Sequence, residues 1–143
     1  MSDLHGYYIE DLEVGMTDSF AKTVSESDVY TFAGITGDNN PVHINAEFAA
    51  TTPFKQRIVH GMFSAGLIST VLGTKLPGPG AIYVDQSIKF KAPVFFGDTV
   101  TATATIEEID IRRRRVVLNT TCSVAGKVVA QGAATLMVDS RPA

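Results

Sequence analysis

Asp38 and His43 stand five residues apart in the run Gly37-Asp38-Asn39-Asn40-Pro41-Val42-His43. A carboxylate and an imidazole that hold one water between them can take a proton from it and deliver a proton elsewhere. The spacing does not align the two side chains in any regular element. Five residues apart, they point to opposite faces of a strand and do not share a face of a helix. They converge only if the chain bends. Gly37 is suited to stopping a helix in the left-handed conformation. Pro41 pushes Asn40 out of the α region, so the chain is extended there. Asn40 carries a side chain suited to fixing that turn. Taken alone, the same residues also read as an Asx-turn aspartate beside a surface histidine.

Further along stands Val59-His60-Gly61-Met62. Gly61 falls in the first turn of an expected helix, where an N–H lacks an intrahelical partner. Such a donor can stabilise an oxygen that gains charge during a reaction. Gly61 also reads as a close-packing position beneath a strand. Ser69, eight residues later, reads by itself as a helix serine bonded to the carbonyl one turn back. Ser64 reads the same way. His60 reads as a cap or loop anchor, and His5 as uninvolved. Three histidines, with no HExxH and no clustered cysteines, point to no metal centre. Arg112 to Arg115 reads as a solvated turn, with phosphate binding as its alternative. Lys89 and Lys91 are further phosphate candidates. No G-x-S-x-G or G-x-G-x-x-G supports a serine nucleophile or a dinucleotide site.

The elements that must position these residues fall in two halves. Ser25 and Asp28 form a capping-box signature for a helix from about Glu26 to Ile35, with Val29, Phe32, Ala33 and Thr36 on one face. Asn45 caps a short helix over Ala46 to Ala50, and Thr51 to Gln56 is a loop. His60 to Leu76 predicts a helix of roughly 24 Å, apolar or small nearly all round and so enclosed by protein on most sides. Pro77-Gly78-Pro79-Gly80 ends it. Four strands follow, over Ala81 to Ala92, Thr99 to Ile111, Val116 to Val124 and Lys127 to Val138. Turns at Gly97-Asp98 and Ala125-Gly126 separate the later ones. Period-2 patterning with short links predicts an antiparallel sheet. The compact solution is α+β, one curved sheet wrapped around one long buried helix.

With 143 residues the chain is expected to form a single domain spanning 1–143. Hydrophobic residues make up 45% and charged residues 19%, which excludes disorder. A net charge of −3 gives no field that would draw the chain to nucleic acid or an anionic membrane. Cys122 is the one cysteine, so no internal disulfide forms. The longest stretch without Lys, Arg, Asp or Glu, Ile58 to Thr74, is 17 residues. A bilayer span needs about 20, so no membrane partner is expected. The acidic start lacks an apolar signal region, which makes the cytoplasm the expected compartment.

The run Gly37 to His43 resembles the D-x-N-P-x-H signature of MaoC-like R-specific enoyl-CoA hydratases. Val59-His60-Gly61-Met62 and the stretch Ile82-Tyr83 through Phe90-Lys91-Ala92-Pro93-Val94 to Gly97-Asp98 follow in the same order. The resemblance covers roughly residues 8 to 140. It implies a hot-dog fold and cofactor-free, reversible hydration of a trans-2-enoyl-CoA to the (R)-3-hydroxyacyl-CoA. It makes Asp38 and His43 the catalytic pair and Gly61 the oxyanion donor, with Ser69 and Asn40 on the substrate-binding side. It also implies a homodimer joined edge to edge. Alternatives are a 3-hydroxyacyl-thioester dehydratase of fatty-acid synthesis, an acyl-CoA thioesterase and a non-enzymatic acyl-CoA binding module. The lack of any carboxylate between Ile58 and Thr74 counts against the thioesterase, and the retained Asp-His signature against the binding module.

Overall fold

Alternating apolar residues in the C-terminal half supply four strands of a five-stranded antiparallel sheet in a computed structural model that describes residues 2–143. Its strands are β1 (Thr17–Thr23), β2 (Ile82–Phe90), β3 (Thr99–Asp110), β4 (Arg115–Val124) and β5 (Lys127–Met137). The helices are α1 (Glu26–Thr36), α2 (Pro41–Ile44), α3 (Ala46–Ala50) and α4 (Gly61–Thr74). The strand order is β1-β3-β4-β5-β2. Helix α4 lies across the sheet and packs against β1, β2, β3 and β4. The α+β expectation of one antiparallel sheet on one long helix is met.

The core sits where the two layers meet. Val100, Ala102, Ala104 and Ile106 of β3 face Leu67, Ile68, Val71 and Leu72 of α4, and Val116, Leu118 and Cys122 of β4 join them. All are buried, as period 2 in the strands and period 3.6 in the helix require. Cys122 donates to the Ser64 carbonyl oxygen at 3.4 Å. Burial pushes its thiol up to about 11, so it is no nucleophile near neutral pH.

Three local expectations change. β1 was not expected: its sequence TDSFAKT is mostly polar and pairs only with β3, as an edge strand. β2 lies at the far edge of the sheet and pairs with β5 alone. Its apolar alternation is only partly covered: Ile88 packs against the core, while Ile82, Val84 and Phe90 are each more than half exposed. Helix α4 is less enclosed than its composition predicts, because Met62, Gly66, Ser69 and Gly73 form an exposed stripe.

β5 is narrow by necessity. Gly132 pairs with Thr120 on one side and Ile88 on the other. A Cβ placed there would lie 1.8 Å from the Ser87 carbonyl oxygen, which is backbone and cannot turn aside. At Gly34, on the exposed side of α1, a Cβ would meet nothing within 4 Å. Gly132→Ala is expected to cost about 2–3 kcal/mol and lower Tm by roughly 5–10 °C. Gly34→Ala is expected to hold or raise Tm, because alanine is the better helix former. Thermal denaturation of the two variants checks both.

Candidate active site

The loop between α1 and α2 is bent by three successive devices. Gly37 ends α1 in the left-handed region at φ 79°, donating its N–H to the Ala33 carbonyl at 2.8 Å. The Asp38 carboxylate then accepts from the Asn40 N–H at 3.4 Å. Finally the Asn40 side chain accepts from the Val42 N–H at 3.1 Å, capping α2 with Pro41 at its first turn. Asn40 is extended, as a residue before proline should be. The segment after it, read from sequence as a turn, closes into one helical turn that swings His43 inward.

His43 is buried, and its Nδ1 lies 2.7 Å from the Ile58 carbonyl oxygen. A carbonyl only accepts, so Nδ1 carries the proton and Nε2 keeps its lone pair. Ile58 is itself strapped in place. Its N–H donates to Val42 O at 3.2 Å, and it forms a β-bridge with Phe95. Burial lowers the pKa of His43 below its ordinary 6.5. The Ile58 hydrogen bond and the Asp38 charge oppose this, while His60 reinforces it. The imidazole is therefore neutral at neutral pH.

His60 completes the cluster. One ring nitrogen each of His43 and His60 and one carboxylate oxygen of Asp38 lie within 4.8 Å of one another. Sequence spacing does not show this triad, because His60 is seventeen residues from His43. Three such donors are a metal-ligand set in type. The two imidazoles are stacked at 3.9 Å with planes 28° apart, and Nε2 of His60 is committed to the Asp38 carbonyl oxygen at 2.9 Å. The spacing suits a water. Two hydrogen bonds of about 2.8 Å at a tetrahedral angle span roughly 4.5 Å.

The cluster borders a cavity of about 440 Å³. Its walls come from the 54–60 loop, the start of α4, the end of β2 and β5, and include Phe54, Ser64, Phe90, Lys91 and Ala130. Gly61 lines it as the first residue of α4, so its N–H has no carbonyl one turn back within the helix. A Cβ on Gly61 would come within 2.8 Å of the Phe90 ring, so close packing and an open donor coexist there.

Ser69 does not line this cavity. It lines a neighbouring one of about 650 Å³ with Phe32, Gly66, Tyr83 and Gln86. Asp38 and Met62 border both cavities. Asn40 lines neither and serves as the cap of α2. Of the basic candidates, Lys91 borders the first cavity. The arginines 112–115 lie at the β3–β4 turn and line neither cavity, with Arg113 beside Asp110 and Arg114 beside Asp139. Ser64, read from sequence as an ordinary helix serine, and His60, read as an anchor, both line the first cavity. The available signal was their place in the first turn and at the cap of the helix that also carries Gly61.

Residues 13–132 match the family model described as a MaoC like domain. The chain is 60% identical over 139 residues to an (R)-specific enoyl-CoA hydratase of Rhodospirillum rubrum, covering 97% of this chain and 96% of that one. It is 50% identical over 141 residues to a 3-hydroxybutyryl-CoA dehydratase of Methylorubrum extorquens, covering 99% and 90%. Among solved structures, an (R)-hydratase from A. caviae involved in PHA biosynthesis superposes with a TM-score of 0.87 at 39% identity, covering 90% of this chain and 98% of that one. The bent loop, the Ile58 strap and the start of α4 all fall inside the matched span, and the chain belongs to the MaoC-like domain family.

Proposed function

We propose that this chain is an (R)-specific enoyl-CoA hydratase, a hydro-lyase that adds water reversibly across a trans-2-enoyl-CoA. The observation that carries this reading is the convergence of the Asp38 carboxylate and the neutral His43 at water-bridging distance, beside the Gly61 amide at the start of α4. Water held between Asp38 and His43 gives its oxygen to C3 and loses a proton to the pair. The C2=C3 electron pair moves toward the thioester oxygen, where the Gly61 N–H and the positive end of α4 receive the developing charge. The electrons return to C2, which takes a proton from the same pair. Both parts are delivered from one face of the alkene, and the (R) configuration at C3 is assigned on the likeness to the (R)-specific relative. The relatives named hydratase and dehydratase describe the two directions of this one reaction.

The two cavities that meet at Asp38 and Met62 suit a ligand whose reacting thioester sits at the junction with an arm on either side. Lys91 offers the first cavity a cation for a phosphate-bearing arm. We assign a homodimer paired across β2. The other sheet edge, β1, carries Asp18 and Lys22, charges of the kind that blunt strand pairing. β2 instead presents Ile82, Tyr83 and Val84, and it walls the second cavity. No helix among the described residues is long and apolar enough to cross a membrane. The cytoplasm is the compartment this reading assigns.

Asp38→Asn and His43→Gln are each expected to lower kcat at least ~100-fold, followed as loss of enoyl-thioester absorbance with crotonyl-CoA. Wild-type turnover in both variants would remove the assignment. Because burial depresses the pKa of His43, kcat/KM is expected to be flat above pH 6.5 and to fall on an acid limb below it. Stability follows the same sign. The unfolded chain takes up its proton near 6.5 while the fold resists, so the contribution of His43 is intact above 6.5 and lost as pH falls through the folded value. A pH series of rates and melting temperatures reads both. Light scattering at micromolar concentration is expected to give a dimer, and the Ile82→Lys/Val84→Lys double variant a monomer.

A further inference from the structure

His60 touches both members of the pair and is assigned to neither role. Its Nε2 lies 2.9 Å from the Asp38 main-chain oxygen, which can only accept, so Nε2 donates. One face of its ring stacks on His43 at 3.9 Å, and its ring also meets Phe32 at 4.7 Å. It is 2% exposed. It occupies the cap position of α4, yet its side chain makes no capping bond. Its Nδ1 is buried with no hydrogen-bond partner.

An unpaired buried acceptor carries a free-energy cost that a phenyl ring of similar shape would avoid. Packing alone therefore does not account for an imidazole here, and helix capping does not use it. The polar act the ring performs is donation to the Asp38 carbonyl. We propose that His60 is a positioning residue that fixes the Asp38 backbone through its Nε2–H and the plane of the His43 ring through its face, so that the two side chains meet on one water.

The inference rests on the reading of Asp38 and His43 as the reacting pair, and its geometric part is testable without turnover. The groups facing His43 are the Asp38 carboxylate from the α1–α2 loop, the Ile58 carbonyl from the strap and the His60 ring from the start of α4. Lys91 also lines the cavity. Any charge on His60 opposes protonation of His43. Removing that imidazole therefore raises the His43 pKa.

The test compares His60→Phe, which keeps a ring and loses the donor, with His60→Gln, which keeps an amide donor and loses the ring. His60→Phe is expected to melt at the wild-type temperature or above. Its kcat on crotonyl-CoA is expected to fall about 10- to 100-fold with KM changed less than about threefold. Its acid limb is expected to move to higher pH. Nitrogen-15 imidazole titration of the ligand-free protein is expected to show a raised His43 pKa in both variants, and His60→Gln to recover part of kcat. Wild-type kcat and an unmoved His43 titration in His60→Phe would overturn the proposal. So would equal kcat losses in both variants, each matched by a lower melting temperature. Failure of the underlying reading is separate, because it shows as wild-type turnover in Asp38→Asn whatever His43 titrates to.

Discussion

The hydrogen bond from His43 Nδ1 to the Ile58 carbonyl is the constraint on which the site depends. An imidazole has two nitrogens and, when neutral, one proton. Committing that proton to a backbone oxygen leaves the other nitrogen as an acceptor and stops the ring from turning. The bond is only as good as the placement of Ile58. That residue is held from one side by the Val42 carbonyl and from the other by its bridge to Phe95, and the next N–H, of Val59, donates to Val94 O at 2.8 Å. The 91–98 segment sits there because it leaves the end of β2 and must run to the start of β3 at the other side of the sheet. A crossover in the topology thus delivers the carbonyl that fixes the tautomer.

The sheet has one closed-off edge and one open edge, and the difference is chemical. β1 alternates small polar and charged residues, with Lys75 donating to the Ser19 carbonyl at 2.8 Å to occupy part of its backbone. β2 leaves large apolar side chains in solvent. Its pairing with β5 is close enough that Gln86 reaches across to the buried Thr120 hydroxyl at 3.0 Å. Such reach needs the small side chains of Ala130, Gly132 and Ala134 in the strand between. The same closeness brings Phe90, at the end of β2, over Gly61.

What was legible in the sequence was local. The Ser25–Asp28 capping box, the Gly37 stop, the Asn45 cap and the Ala125-Gly126 turn are decided by a few neighbouring residues, and each stands where its chemistry puts it. Asp38 and His43 are near neighbours in sequence, but the residues alone also fit an Asx turn beside a surface histidine, and their pairing was implied by the family signature. β1 was not legible, because an edge strand that pairs on one side needs no apolar alternation. The single turn of α2 carries its own signals, an asparagine cap followed by proline: Pro41 both extends Asn40 and starts the helical turn. The role of His60 is not local, because its partners come from α1, α2 and the loop between them, and only the tertiary fold brings them to it. The alternation in β2 is real, but periodicity says which residues share a face and not how much of it is covered: Ile88 meets the core and Ile82, Val84 and Phe90 do not.

Two hollows share Asp38 and Met62 and meet along α4 and β2. The first adds the 54–60 loop, the 91–94 segment and β5, and the second adds α1 and the outer stripe of α4. Substitutions in the unshared parts, where the side chains lie far apart, add nearly independently. A lineage can therefore remodel the grip on one arm of a ligand by drift in one wall while the other arm's affinity and the reacting centre stay as they were.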